Sequence, residues 1–269
     1  MTTPALLRVT SLGKSFGGVR AVDGVSFTLG PDELLAMIGP NGAGKSTTFN
    51  LLNGQLRADT GSALLATQAG TQELVGLSPR AIWRRGVGRT FQVAETFASL
   101  TVLENVQMAL LAADRQLLTL RFRATLYRAA DALALLAQVG MAAQAARPCS
   151  ALAYGDLKRV ELAMALAHQP QLLLMDEPTA GMAPEERHAL MVLVRSLVKS
   201  RGLSVLFTEH SMDVVFGYAD RVMVLARGRV IATGTPEEIR ENPEVQSVYL
   251  GAGPTAADRL CEAPACQCR

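Results

Sequence analysis

Hydrophobic positions change rhythm along the chain. In the first third they come in short groups. Leu6–Val9, Val22–Leu29 and Ser62–Leu65 set apolar or β-branched residues between Gly, Pro and Asp, which predicts strands. Leu34–Ile38 is a continuous apolar run ending at Gly39-Pro40, the mark of a strand buried on both faces. From Ser46 to Leu52 no breaker intervenes before Asn53-Gly54, so a helix follows. Between Val102 and Ala146 there is no proline and only Gly140 interrupts. Leu126, Ala130, Leu133, Leu136 and Val139 recur there at helical spacing, predicting a helical lobe inserted between strand regions. Alternation then resumes with a strand at Leu172–Met175, a helix from Pro184 to Ser200 with Leu190, Leu193, Val194 and Leu197 on one face, and a strand at Val205–Thr208. Val222–Ala226 and Val230–Ala232 flank Arg227-Gly228-Arg229 as a hairpin. Thr235-Pro236-Glu237-Glu238 opens a further helix, with an N-cap hydroxyl, Pro at the first position and Glu at the third.

Composition narrows the classes. A chain of 269 residues, 49% apolar, can bury one sizeable core or a core with a smaller lobe. The formal charge of +2, with only four lysines (Lys14, Lys45, Lys158 and Lys199), leaves no footprint for nucleic acid. No apolar run approaches the roughly 18 residues of a membrane span. Met1-Thr2-Thr3-Pro4 lacks the basic and apolar segments of a secretory signal, so the cytoplasm is the expected compartment. Cys149 stands alone. Cys261, Cys266 and Cys268 share an unfamiliar C-x4-C-x-C spacing that reads as a solvated tail, with metal or redox use as the alternative. Arg121-Phe122-Arg123 reads as a solvated helix face, with contact to lipid headgroups as the alternative, and His168 and His188 read as surface residues.

Two motifs carry chemistry. Gly39-Pro40-Asn41-Gly42-Ala43-Gly44-Lys45-Ser46-Thr47 fits G-x4-G-K-[ST] between a predicted strand and a helix. Small residues let successive backbone N–H groups turn onto phosphate oxygens, and the helix start adds its positive end. Lys45 brings a full charge to the outer phosphates, and the Ser46 hydroxyl suits the Mg²⁺ shell. The second motif is Leu172-Leu173-Leu174-Met175 followed by Asp176-Glu177. Acids at the end of a buried strand cost free energy unless cations or donors meet them, and in a doubly wound sheet that end faces the ligand crevice. Asp176 suits the orientation of Mg²⁺ through water, and Glu177 the polarisation of an attacking water.

With these motifs the sequence resembles the ATP-binding subunit of ABC transporters over about residues 6 to 251. The resemblance adds four signals in the family's order. Phe16 stands where an aromatic stacks on adenine. Gln92, after Arg89-Thr90-Phe91, resembles the glutamine that senses Mg²⁺ and the membrane partner. Leu152-Ala153-Tyr154-Gly155-Asp156 resembles the signature loop, and His210 the histidine that contacts the γ-phosphate. Phe16-Gly17-Gly18, Thr101-Val102-Leu103-Glu104-Asn105-Val106, Ala180-Gly181-Met182, Gly234-Thr235-Pro236-Glu237-Glu238 and Tyr249-Leu250-Gly251 are similar to the branched-chain amino acid uptake group, and to the longer of its two ATPases.

That resemblance implies an α/β fold: a P-loop NTPase core with an antiparallel β subdomain and a helical subdomain inserted at about 99–165. It fills 1–251 and leaves a tail at 252–269. It implies ATP and Mg²⁺ as cofactors. The implied partners are transmembrane permease subunits, a second ABC ATPase (in a heterodimer, with a homodimer as the alternative) and, indirectly, a periplasmic solute-binding protein. The implied location is peripheral, on the inner face of the plasma membrane. The signature residues Ala153, Tyr154 and Gly155 of this chain would, by that resemblance, face the ATP held by the second ATPase. The chain departs from the pattern at Ala153, which has no hydroxyl, at Leu157, where glutamine is usual, and at Met164, where arginine is common. Other readings are a urea or short-amide importer, a soluble ABC ATPase, and a subunit that binds ATP without cleaving it. A soluble ABC ATPase would normally carry two such domains or long insertions. Lys45, Glu177 and His210 together speak against the non-cleaving subunit.

Overall fold

The computed structural model describes residues 5–67, 70–91, 94–114 and 127–250. The chain forms two compact units, Met1–Gly76 with Leu206–Arg269, and Leu77–Val205. The expected tail at 252–269, with Cys261, Cys266 and Cys268, lies outside the described residues, as do Gln92, Leu126 and Arg121-Phe122-Arg123.

In the first unit β1 (Leu7–Phe16) pairs antiparallel with β2 (Val19–Leu29), and β4 (Thr60–Thr67) pairs with both β1 and β5 (Gly70–Glu73), in the order β2-β1-β4-β5. Leu7 and Val9 are buried while Arg8 and Thr10 are exposed, the period of a half-buried strand. Register shifts against β4 between Thr10 and Gly13 break that alternation. The strand therefore outruns the Leu6–Val9 pattern that predicted it. β3 (Leu34–Ile38) is buried at every residue and runs parallel to β9 (Arg221–Ala226), from Leu35↔Arg221 to Ile38↔Val224. β9 turns into β10 (Arg229–Gly234) through Arg227 and Gly228, both at positive φ (49° and 78°), as a tight hairpin requires. α1 (Lys45–Leu52) follows β3. At the chain's end α7 (Met212–Tyr218), α8 (Pro236–Glu241) and α9 (Pro243–Leu250) complete the unit. α8 starts with the predicted capping box, Thr235 Oγ1 accepting from the Glu238 amide and Glu238 from the Thr235 amide.

The second unit pairs β6 (Val87–Thr90) in parallel with β7 (Leu172–Asp176), from Val87↔Leu172 to Thr90↔Met175. Around the pair are α2 (Pro79–Trp83), α3 (Val102–Ala113), α4 (Ala129–Gln138), α5 (Tyr154–Leu166) and α6 (Pro184–Arg201), and the chain leaves through β8 (Ser204–Thr208). α4 corrects the expected face. Ala132, Leu135, Leu136 and Val139 are buried, whereas Ala130 and Leu133 are exposed. A helix reading AADALALLAQ carries almost no polar residue to mark its outer side, so contacts rather than pattern set its rotation. Among the described residues no helix is long and apolar enough to cross a membrane.

His168 also departs from expectation. Its ring packs 4.4 Å from that of Trp83, and both ring nitrogens are buried. His188 is exposed, as expected. Burial lowers the His168 pKa from 6.5 to about 4, against a weaker pull from the backbone of Val87 and Ala165. The folded chain thus holds this ring neutral where the unfolded chain protonates it. Its contribution is complete above about pH 6.5 and is lost as pH falls toward 4, to a total of about 3 kcal/mol. Melting temperatures measured from pH 7 to pH 4 should fall less steeply for His168→Phe than for the wild type.

Candidate functional site

In the first unit Gly39 to Gly44 leave β3 and turn into α1. Ala43 N–H closes the turn on the Pro40 carbonyl at 3.1 Å. Gly44 is N-cap at φ 102°, and a Cβ there would collide with the Ala21 carbonyl of β2. On the far side Gly228 N–H donates to the Ala43 carbonyl at 3.0 Å, and Asp23 N–H to the Gly228 carbonyl at 2.8 Å. Asp23 also takes the Arg229 guanidinium at 2.7 Å, which holds its carboxyl below the ordinary value. The loop is braced between a strand and a hairpin, and at Gly39 and Gly44 there is room only for backbone. Lys45, 7% exposed, sends its ammonium back to the carbonyls of Gly39 (2.6 Å) and Pro40 (3.2 Å), while Asn41, Gly42 and Ser46 face outward and Thr47 is half-buried. A row of amides, a helix start and a tethered cation form a receptacle for phosphate oxygens.

Other candidates in this unit are Phe16 and His210. Phe16, 47% exposed at the end of β1, has the Lys14 ammonium 5.6 Å from its ring centre. His210 is exposed directly after β8, its amide on the carboxylate of buried Glu209 at 3.1 Å. Glu209 was not singled out from the sequence, although an acid directly after the strand Val205–Thr208 is the same kind of signal that marks Asp176.

In the second unit Asp176 ends β7, and the Arg89 guanidinium stands 3.7 Å away. Burial lowers the Arg89 pKa and Asp176 opposes that. Glu177 sits at φ 46°, a left-handed conformation uncommon for a residue with a Cβ, and its carbonyl accepts the Ala180 amide at 3.1 Å. Such strain concentrates at functional positions. α5 begins at the signature residues. Ala153 is the N-cap with no side-chain bond to the helix start; Ala153 and Tyr154 are exposed and Gly155 is buried against Glu186 and Met182. Backbone donors alone serve that end, as a cap without a hydroxyl dictates. The sequence also did not mark Lys158 and Glu161 as buried, or, in the first unit, the buried Tyr249 hydroxyl, whose pKa burial raises while the Gly39 backbone opposes. Among the described residues no cluster of three or more His, Cys, Asp or Glu could hold a metal. The Ser46 hydroxyl in the first unit and the Asp176 carboxylate in the second are each a hard oxygen donor, the type that suits Mg²⁺.

Comparison with known proteins agrees in kind. The family model described as "ABC transporter" matches residues 22–180, and that described as "Branched-chain amino acid ATP-binding cassette transporter" matches residues 229–254. The chain is 41% identical to the high-affinity branched-chain amino acid transport ATP-binding protein LivG of Escherichia coli (strain K12), across 91% of this chain and 98% of that one. It is 36% identical to the methionine import ATP-binding protein MetN of Rhizobium johnstonii, across 95% of this chain and 68% of that one. A crystal structure of the ADP conformation of an ATP-binding cassette of an ABC transporter superposes with a TM-score of 0.81 at 30% identity, covering 93% of this chain and all of that one.

Proposed function

Since the chain belongs to the family of ABC transporter ATP-binding subunits, we propose that it energises an importer of branched-chain amino acids. The ABC ATPase fold, nucleotide binding and ATP hydrolysis come with the family. One observation carries the choice of cargo: 41% identity runs through 98% of LivG and is joined by the branched-chain family match at 229–254. The methionine-import relative matches at lower identity and over less of its own length.

In this reading Lys45 and the amides of 39–47 hold the phosphates, and Phe16 stacks on adenine. Ser46, Asp176 and Gln92 serve Mg²⁺, which supplies charge neutralisation at the phosphates. Glu177 orients water, and His210 meets the γ-phosphate. Ala153, Tyr154 and Gly155 serve the nucleotide of a second ATPase. The altered signature at Ala153 and Leu157 supports a heterodimer with a different ATPase as the working pair. The pair docks on permease subunits at the inner membrane face. The ATPase domain spans 1–251, with a helical subdomain at about 99–165.

The test is reconstitution with its permease and solute-binding subunits. Leucine, isoleucine or valine should raise ATP turnover several-fold. Stimulation by urea or a short amide, with none by leucine, would replace the cargo while leaving the ATPase in place.

A further inference from the structure

Lys158 and Glu161 lie one turn apart on α5, with side chains 3% and 5% exposed and Nζ 3.3 Å from Oε2. A buried pair on one helix is a poor stabiliser, because desolvation rivals the attraction. Here burial pushes the Glu161 carboxyl upward more than Lys158 draws it down. What distinguishes the pair is its common target. Phe91 N–H donates to Glu161 Oε1 at 2.7 Å, and the Lys158 ammonium donates to the Phe91 carbonyl. Two opposite charges thus grip both polar groups of one peptide residue, and the Glu95 backbone bonds to the same carboxylate.

Phe91 follows β6 directly, and Thr90 before it is in register with Met175, the neighbour of Asp176. The Arg89 guanidinium lies 4.7 Å from the Phe91 ring centre and 3.7 Å from Asp176. At the other end, the Lys158 ammonium lies 5.7 Å from the ring centre of Tyr154, where α5 begins. An unbroken set of packed groups therefore joins the start of α5 to the carboxylate end of β7, entirely inside the second unit.

We propose that Lys158 and Glu161 are positioning residues that clamp Phe91, so that the orientation of α5 sets where Arg89 and Asp176 stand and hence how fast ATP is cleaved. This rests on the role proposed for Asp176. A clamp made of hydrogen bonds to one peptide residue can be kept while its charges are removed, and that separates positioning from mere stability. Lys158→Gln with Glu161→Gln retains a donor for the carbonyl and an acceptor for the amide. Lys158→Met with Glu161→Leu retains bulk and neither bond.

The measurements are ATP turnover in the assembled transporter, ATP affinity of the full chain by equilibrium titration, and the melting temperature. The Met/Leu variant should turn over about tenfold more slowly with ATP affinity within about twofold of wild type, and the Gln/Gln variant should recover most of the rate. If Met/Leu does not fold, Lys158→Met alone carries the test, since it leaves Glu161 on the Phe91 amide. A fall of about fivefold at unchanged affinity is then expected. A folded variant without the clamp that keeps the wild-type rate overturns the proposal. So does a rate that follows the folded fraction alone, or a Gln/Gln variant as slow as Met/Leu. A wild-type chain that neither binds nor cleaves ATP would instead overturn the function proposed above.

Discussion

Replacing Lys45 by alanine is expected to weaken ATP binding by about two orders of magnitude. Lys45 is the one cation in the loop from Gly39 to Thr47. Its ammonium is already drawn back over that loop by the Gly39 and Pro40 carbonyls, so little side-chain freedom remains to be lost when phosphate arrives. A hydrogen bond to a charged partner contributes about 1.5–3 kcal/mol, and about 1.4 kcal/mol is tenfold in affinity. At the lower of those figures, two such contacts to the outer phosphates account for roughly a hundredfold. The amides and the start of α1 remain in the variant, so a residual affinity should survive. Equilibrium titration of wild type and variant under the same Mg²⁺ reads the difference, and equal affinities would remove the loop from nucleotide binding.

Glu177→Gln should leave ATP bound and slow its cleavage by about 10²–10⁴-fold, the range over which a positioned general base acts. Glutamine keeps the length and shape of the side chain but cannot accept a proton from water. The backbone makes this substitution unusually clean. Glu177 is held at φ 46°, and Gln meets the same steric penalty there, so neither fold nor loop geometry has reason to change. Glycine at this position would relax the strain and remove the side chain together, which confounds stability with chemistry. Single-turnover measurements with ATP in the assembled transporter provide the check. Unchanged cleavage would take Glu177 out of the reaction.

Much of this arrangement is legible in the residues themselves, for definable reasons. Leu34–Ile38 and Leu172–Met175 are uniformly apolar because both faces of each strand are buried, and the charged motifs stand where each run stops. The Thr235 cap is local chemistry and reads directly. What escapes is whatever the surroundings decide. Lys158 and Glu161 sit in a polar stretch of α5 that looks solvated until Phe91 lies over it. His168 looks like a surface residue because Trp83, which covers it, is distant in sequence. The face of α4 is hidden by its own uniformity, since alanine and leucine occur on all sides. β1 outruns its pattern because a register shift near Gly13 displaces the alternation.

The bracing of the phosphate loop bears on how the protein comes into being. Asp23 and Arg229 bond across 206 positions, and the Gly228 amide closes on Ala43 over a comparable span. At about 5–20 residues per second, roughly ten to forty seconds separate the appearance of Asp23 from that of Arg229 on the ribosome. For that interval the growing chain carries its phosphate-binding segment without the hairpin that steadies it. The stabilisation that nucleotide gives to the fully braced loop by mass action therefore belongs to molecules whose synthesis has passed the hairpin.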